Sequence, residues 1–247
     1  MKKILFSGLL LLVACQSALP EPTSTPEAIA TRNSPTPVPA TLTATLTSPP
    51  TFTSKPASRY FTEEFDDPPT YWSTLYASGN SSQVEIRDEN SKLTFELYNP
   101  VTWLYAIYGA FEYDSVHIET RVESQGSGVN AMGLVCHYDG QDGWYEFNVS
   151  NDGTYNLLYA HWLADGIASY TPLLNDDSNQ IATGNSVNEI GLDCLEYFVQ
   201  FYINGKLIRK VDVSRYGLIG GKVGISMASF EEVPVILAFD WVKVSEP

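Results

Sequence analysis

Tyr197-Phe198-Val199-Gln200-Phe201-Tyr202-Ile203-Asn204-Gly205-Lys206-Leu207-Ile208-Arg209-Lys210-Val211-Asp212-Val213 reads as a β-hairpin. The runs 197–203 and 206–213 are rich in aromatic and β-branched residues and meet at Asn-Gly. That pair supplies the two positive φ angles of a type I′ turn. The same grammar repeats outward. Asp139-Gly140, Asp142-Gly143, Asp152-Gly153 and Asp165-Gly166 mark further turns between short apolar runs. No stretch carries a helical period, so residues 59–247 are expected to fold as one all-β, two-sheet antiparallel sandwich or jelly roll.

Alternation assigns faces to the strands. Val116, Ile118, Thr120 and Val122 are expected inward, with His117, Glu119 and Arg121 outward. Met132, Leu134, Cys136 and Tyr138 point in and His137 out. Tyr145, Phe147 and Val149 point in, leaving Trp144, Glu146 and Asn148 outward; Ile190, Leu192 and Cys194 share the core face. A slip of one residue would invert any of these sets.

The 247-residue chain has 14 basic and 29 acidic side chains, a net charge of −15. That balance argues against nucleic acid as a partner, because phosphates need clustered Lys and Arg. Residues 16–58 contain 25 Ser, Thr or Pro in 43 positions, nine of them Pro. Such a stretch offers nothing to bury and favours extended backbone, so it is expected to be a disordered stalk.

Met1-Lys2-Lys3 and the apolar run 4–13 read as a secretory signal, too short for a membrane span. The run ends Leu12-Val13-Ala14-Cys15, which resembles the lipobox of bacterial lipoproteins. The resemblance implies removal of residues 1–14 and lipidation of Cys15. A lipid bilayer then becomes a partner, and the location is extracytoplasmic on a bacterial membrane. Residues 15–58 form the lipidated linker and 59–247 the folded domain. Export leaves Cys136 and Cys194 in a disulfide-permissive compartment, where a bridge is expected over two buried thiols.

The domain opens Phe61-Thr62-Glu63-Glu64-Phe65-Asp66-Asp67-Pro68 and closes Phe239-Asp240-Trp241-Val242-Lys243-Val244. Between them lie Gly133-Leu134-Val135-Cys136-His137-Tyr138, Gly143-Trp144-Tyr145-Glu146-Phe147 and Tyr202-Ile203-Asn204-Gly205. This layout resembles the concanavalin A-like, laminin-G-like jelly rolls, whose bacterial relatives include family-16 glycoside hydrolases and 3-keto-disaccharide hydrolase-type domains. The resemblance implies a concave glycan groove. It also implies a structural Ca2+ between the opening segment and the last strand, matched here by Glu64 and Asp240. The family-16 Glu-x-Asp-x-(x)-Glu signature does not occur in the sequence.

The expected ligand site is therefore His117, Glu119, Arg121, His137, Trp144, Glu146 and Asn148, provided their three strands are neighbours. Trp144 would stack on a sugar and the polar groups would bond hydroxyls. Glu119 and Glu146 are the weak candidates for an acid/base pair. Tyr155, Tyr159, His161, Trp162 and Tyr170 either flank a groove or pack in the core. His117, His137 and His161 lack metal-ligand spacing. The expected function is non-catalytic binding of a glycan or other cell-surface ligand. The alternatives are a glycoside-acting enzyme of the 3-keto-disaccharide hydrolase type and a protein-binding adhesion or scaffold module.

Overall fold

A computed structural model describes residues 56–163 and 167–247. Residues 1–55, which include Cys15 and most of the Ser/Thr/Pro-rich stretch, and the Asp165-Gly166 turn lie outside the described residues. Fifteen strands follow in chain order: β1 (Phe61–Glu63), β2 (Trp72–Ser78), β3 (Val84–Glu89), β4 (Lys92–Leu97), β5 (Trp103–Tyr113), β6 (Val116–Gly126), β7 (Asn130–Asp139), β8 (Gly143–Ser150), β9 (Thr154–Trp162), β10 (Ala168–Asp177), β11 (Val187–Cys194), β12 (Phe198–Ile203), β13 (Lys206–Asp212), β14 (Gly221–Ser229) and β15 (Val235–Ser245). Among the described residues, helical geometry is confined to two single 3-10 turns, Ser81–Gln83 and Ser214–Tyr216.

The first sheet runs β13-β12-β11-β6-β15-β4-β3, with β1 also pairing β15; the second runs β10-β9-β8-β7-β14-β5-β2. Both are antiparallel throughout their paired strands. The hairpin read from the sequence is β12–β13. Asn204 and Gly205 take φ of 49° and 76°, the left-handed pair that a type I′ turn needs.

The core lies between the sheets and follows the period-2 pattern. Val116, Ile118 and Val122 of β6 meet Met132 and Leu134 of β7 and Phe147 and Val149 of β8 in one buried cluster. Phe147 stacks on Phe201 across the core with ring centres 4.4 Å apart. Cys136 of β7 and Cys194 of β11 are bonded, with Cα atoms 6.4 Å apart, and so stitch one sheet to the other.

Among β6, β7, β8 and β11, the alternation fails at the end of β7. The β7–β8 register shifts between Cys136 and Asp139, and His137 takes φ of 49°. The extra residue of this bulge rotates the strand. His137 turns inward, fully buried with its ring 6.0 Å from that of Tyr145. Tyr138 instead joins an aromatic cluster on the opposite side of the sheet. Both expected orientations are thus reversed by a single bulge.

Candidate functional site

The outward residues of β6 and β8 do not form one patch. β6 belongs to the first sheet and β8 to the second, so their outer faces lie on opposite sides of the sandwich. His117, Glu119 and Arg121 are separated from Trp144, Glu146 and Asn148 by the core. Glu119 and Glu146 point away from each other across sheets stacked about 10 Å apart. A hydrolytic pair needs carboxyls about 5–9.5 Å apart on the same side of the substrate. The expected pairing is therefore overturned by topology.

The outer face of the second sheet carries a second, smaller apolar cluster. Tyr105, Ile107, Val135, Trp144 and Ala160 form it, with Trp103, Tyr138, Trp162 and Tyr170 packed against them. Trp144 is enclosed by four rings: Trp162 at 5.0 Å, Tyr105 at 5.4 Å, Tyr138 at 5.6 Å and Tyr170 at 6.1 Å. It is 0% exposed, so its faces are occupied by protein rather than offered to a sugar. This corrects the expected stacking role.

Glu146 sits beneath these rings, also 0% exposed. Trp103 Nε1 donates to its Oε1 at 3.0 Å, while Tyr105 OH at 2.8 Å and Trp144 Nε1 at 3.2 Å donate to its Oε2. Burial pushes its pKa above the usual carboxylate range, and these hydrogen bonds act against that rise. Tyr105 hydroxyl also lies 2.9 Å from that of Tyr170. Burial, followed by the adjacent carboxylate, raises the Tyr105 pKa well above that of a free phenol. The outward positions of β8 thus hold one carboxylate, between an indole and an amide.

Asn148 continues the row. Ser226 Oγ donates to Asn148 Oδ1 at 2.9 Å, and Asn148 Nδ2 donates to Asn156 Oδ1 at 3.2 Å. Gly133 lies between Asn148 and Ser226 in the register, and a Cβ there would collide with Asn148 Oδ1 and Ser226 Oγ. Beside this chain opens a cavity of about 270 Å³, walled by Asn148, Ser150, Asp152, Thr154, Asn156 and Phe230 among others. Asp152 is held by Thr154, whose backbone N–H and hydroxyl donate at 3.0 and 2.7 Å. Phe230 is exposed and meets Trp103 edge to face at 6.4 Å. This cavity is the open part of the face.

Sequence reading singled out Trp144, Glu146, Asn148 and Tyr170 here but missed Trp103, Tyr105, Asn156, Ser226 and Phe230. The alternation of Trp103-Leu104-Tyr105 was a usable signal for a strand with aromatics on one face. Among the other aromatics, Tyr155 is in the core, and Tyr159 packs against it with His161 stacked on its ring at 5.5 Å.

On the first sheet's outer face, His117 Nδ1 lies 2.6 Å from Asp193 Oδ1 and Nε2 lies 3.9 Å from Glu119 Oε2. Hydrogen bonds to Asp193 and Glu119 raise the His117 pKa to about 9 despite partial burial. Arg121 reaches Glu189 at 3.4 Å and Asp240 at 3.3 Å. Asp240 is thus held by a guanidinium. Among the described residues, no group of three or more His, Cys, Asp or Glu is placed to hold a metal ion.

Comparison with solved structures places the fold. The chain superposes on a Bacillus licheniformis beta-glucanase with a TM-score of 0.53 at 14% identity, covering 76% of this chain and 98% of that one. A Bacteroides ovatus GH16 protein of a mixed linkage glucan locus, in complex with a product, gives a TM-score of 0.53 at 12% identity, covering 75% and 99%. A Z. galactanivorans LamA variant in complex with laminaritriose and laminaritetraose gives 0.53 at 11%, covering 74% and 97%. The domain thus has the concanavalin A-like jelly-roll fold of the family-16 glycoside hydrolases. No family model and no curated protein matches the sequence.

Proposed function

We propose that this is a glycan-binding module without hydrolytic activity, held outside the cytoplasm by lipid on Cys15 and displayed on the 15–58 stalk. The observation that carries the non-catalytic reading is the state of Glu146. It is the one carboxylate on the outward row of β8, it is sealed from solvent, and its two oxygens are met by Trp103, Tyr105 and Trp144. A glycosidase needs two carboxyls that reach the substrate. The open ground for a sugar is the cavity beside Asn148 and Asn156, where amides and hydroxyls supply donors and acceptors and Phe230 supplies a ring. Solved structures with this fold include proteins in complex with glucan oligosaccharides.

The test is incubation of the full chain with a panel of polysaccharides and disaccharides, scoring both retained protein and released products. Retention without products, weakened by Asn156→Ala, supports the reading. Products would install the glycoside-acting alternative. Silence on both would favour a protein-binding role.

Calcium at Glu64 and Asp240 is a separate part of the proposal. The cation would need backbone carbonyls to reach six or more oxygens and would compete with Arg121 for Asp240. An identical Tm with and without EDTA removes it.

A further inference from the structure

The outer face of the first sheet holds a second cavity, also of about 270 Å³, lined by Thr62, Glu64, Glu119, Glu189, Trp241 and Lys243. Its origin lies in the strand pairing. Along one edge of β15, β4 pairs with Val235 to Phe239 and β1 pairs with Val242 to Val244. Asp240 and Trp241 fall in the gap between these two neighbours. On the other edge the β15–β6 register shifts at the same point, between Phe239 and Trp241. A bulge of this kind re-aims a side chain. Here it brings the half-buried Trp241 onto the wall of the open cavity. Thr120 Oγ1 donates to the Trp241 carbonyl at 2.6 Å and holds the backbone in place.

Two of the polar groups around the indole, Glu119 and Glu189, are also held. His117 flanks Glu119 at 3.9 Å and is itself fixed by Asp193, which accepts from Tyr202 OH at 2.7 Å. Arg121 holds Glu189 at 3.4 Å. The cavity therefore presents an aromatic wall, three carboxylates that accept hydrogen bonds, and an ammonium and a hydroxyl that donate them. Three of these groups are preorganised, which lowers the ordering cost of binding. An indole that packs the C–H face of a pyranose, ringed by paired acceptors and donors for its hydroxyls, is the chemistry of sugar recognition. With the adjacent His117, Arg121, Asp193 and Asp240 counted, five carboxylates face three cations, an excess that repels uronic or sulfated sugars.

We propose that this cavity is a second glycan site, selective for an uncharged sugar, on the side of the sandwich opposite the Asn148 cavity. It shares no residue with that cavity and does not rest on the reading of it. Two sites on opposite faces would let one domain bridge two glycan chains, with the gain in avidity that follows from linkage.

The experiment follows the indole N–H resonances of the full chain by NMR during titration with laminaritetraose, cellotetraose and maltotetraose, and with an acidic tetrasaccharide of uronic acid. The expected result is a saturable shift of the Trp241 signal with at least one neutral sugar and none with the acidic one. Glu189→Gln, which keeps the indole, weakens that event about tenfold or more; in Trp241→Ala the same weakening is read from the backbone amide of Lys243 on the cavity wall. Asn156→Ala leaves it unchanged, so failure of the first site is read separately. A Trp241 signal that stays still to about 20 mM of every neutral sugar overturns the proposal. So does an equal response to the acidic sugar.

Discussion

Trp103 and Glu146 are 43 residues apart in the chain, yet the Trp103 indole N–H meets the Glu146 carboxylate at 3.0 Å on the outer face of the second sheet. The contact crosses from β5 to β8, over two intervening strands, β14 and β7. Three donors from Trp103, Tyr105 and Trp144 satisfy the carboxylate, while burial still disfavours its charge. A face that would otherwise be wetted has closed over the one acid in the outward row of β8.

Glu146 is therefore expected to make the protein less stable as pH rises. Its pKa is raised in the folded state, so the folded form binds the extra proton. The stability is fully present below the unfolded value near 4.5 and declines as pH rises through the folded pKa. Glu146→Gln removes this titration. Urea midpoints measured from pH 4 to pH 8 should move in favour of the Gln variant relative to wild type as pH rises. A constant difference between the two proteins would refute the assignment. Glycan retention should be unaffected by the change, since Glu146 is sealed.

The disulfide should be a large single contribution to stability. It closes a loop spanning 58 residues between the two sheets. For that length the chain-entropy model gives about 4 kcal/mol. Double substitution Cys136→Ala and Cys194→Ala should lower Tm by about 10 °C in a domain of this size. Calorimetry of the variant against oxidised wild type checks it, and a drop of only a degree or two would count against the estimate.

The fold was legible because its determinants are local. Asn204-Gly205 fixes a hairpin, and the period-2 runs at 116–122 and 144–149 fix which side chains enter the core. The site was less legible because it depends on which strands are neighbours. The run from Trp144 to Asn148 says that Glu146 points outward. It does not say that Trp103, Tyr105 and Tyr170 arrive from β5 and β10 to cover it. Likewise, nothing local separates β6 from β8 into different sheets. The His137 reversal has a different cause, since a bulge of one residue leaves no mark in an alternating pattern.

Gly133 should be intolerant of any side chain. Its Cα position lies between Ser226 and Asn148, and a Cβ would collide with the hydrogen-bonded atoms of both. Gly133→Ala must displace Ser226 or Asn148, and with Asn148 the Asn156 amide it holds. The expected cost is about 1–3 kcal/mol, read from thermal melts, together with weakened glycan retention. Ser226→Ala removes one hydrogen bond without a clash and should cost about 1 kcal/mol. If Gly133→Ala matched wild type in both readouts, the Ser226–Asn148–Asn156 chain would have no part in the site.

His117 supplies a test on the other face, with the opposite sign of pH dependence to a typical paired acid. Its hydrogen bonds to Asp193 and Glu119 raise its pKa from 6.5 to about 9. Asp193 and Glu119 are correspondingly depressed: burial opposes the fall for Asp193, and the His117 hydrogen bond is the largest cause for Glu119. The stabilisation from His117 is fully present below its unfolded value of 6.5 and is lost as pH rises through about 9. NMR titration of the imidazole should give a midpoint near 9 in wild type. In Asp193→Asn the midpoint should fall toward 6.5, because an amide cannot favour the charged ring as a carboxylate does. The same variant should flatten the loss of stability between pH 7 and pH 10. A wild-type midpoint at 6.5 would mean that the 2.6 Å contact between His117 and Asp193 does not persist in solution.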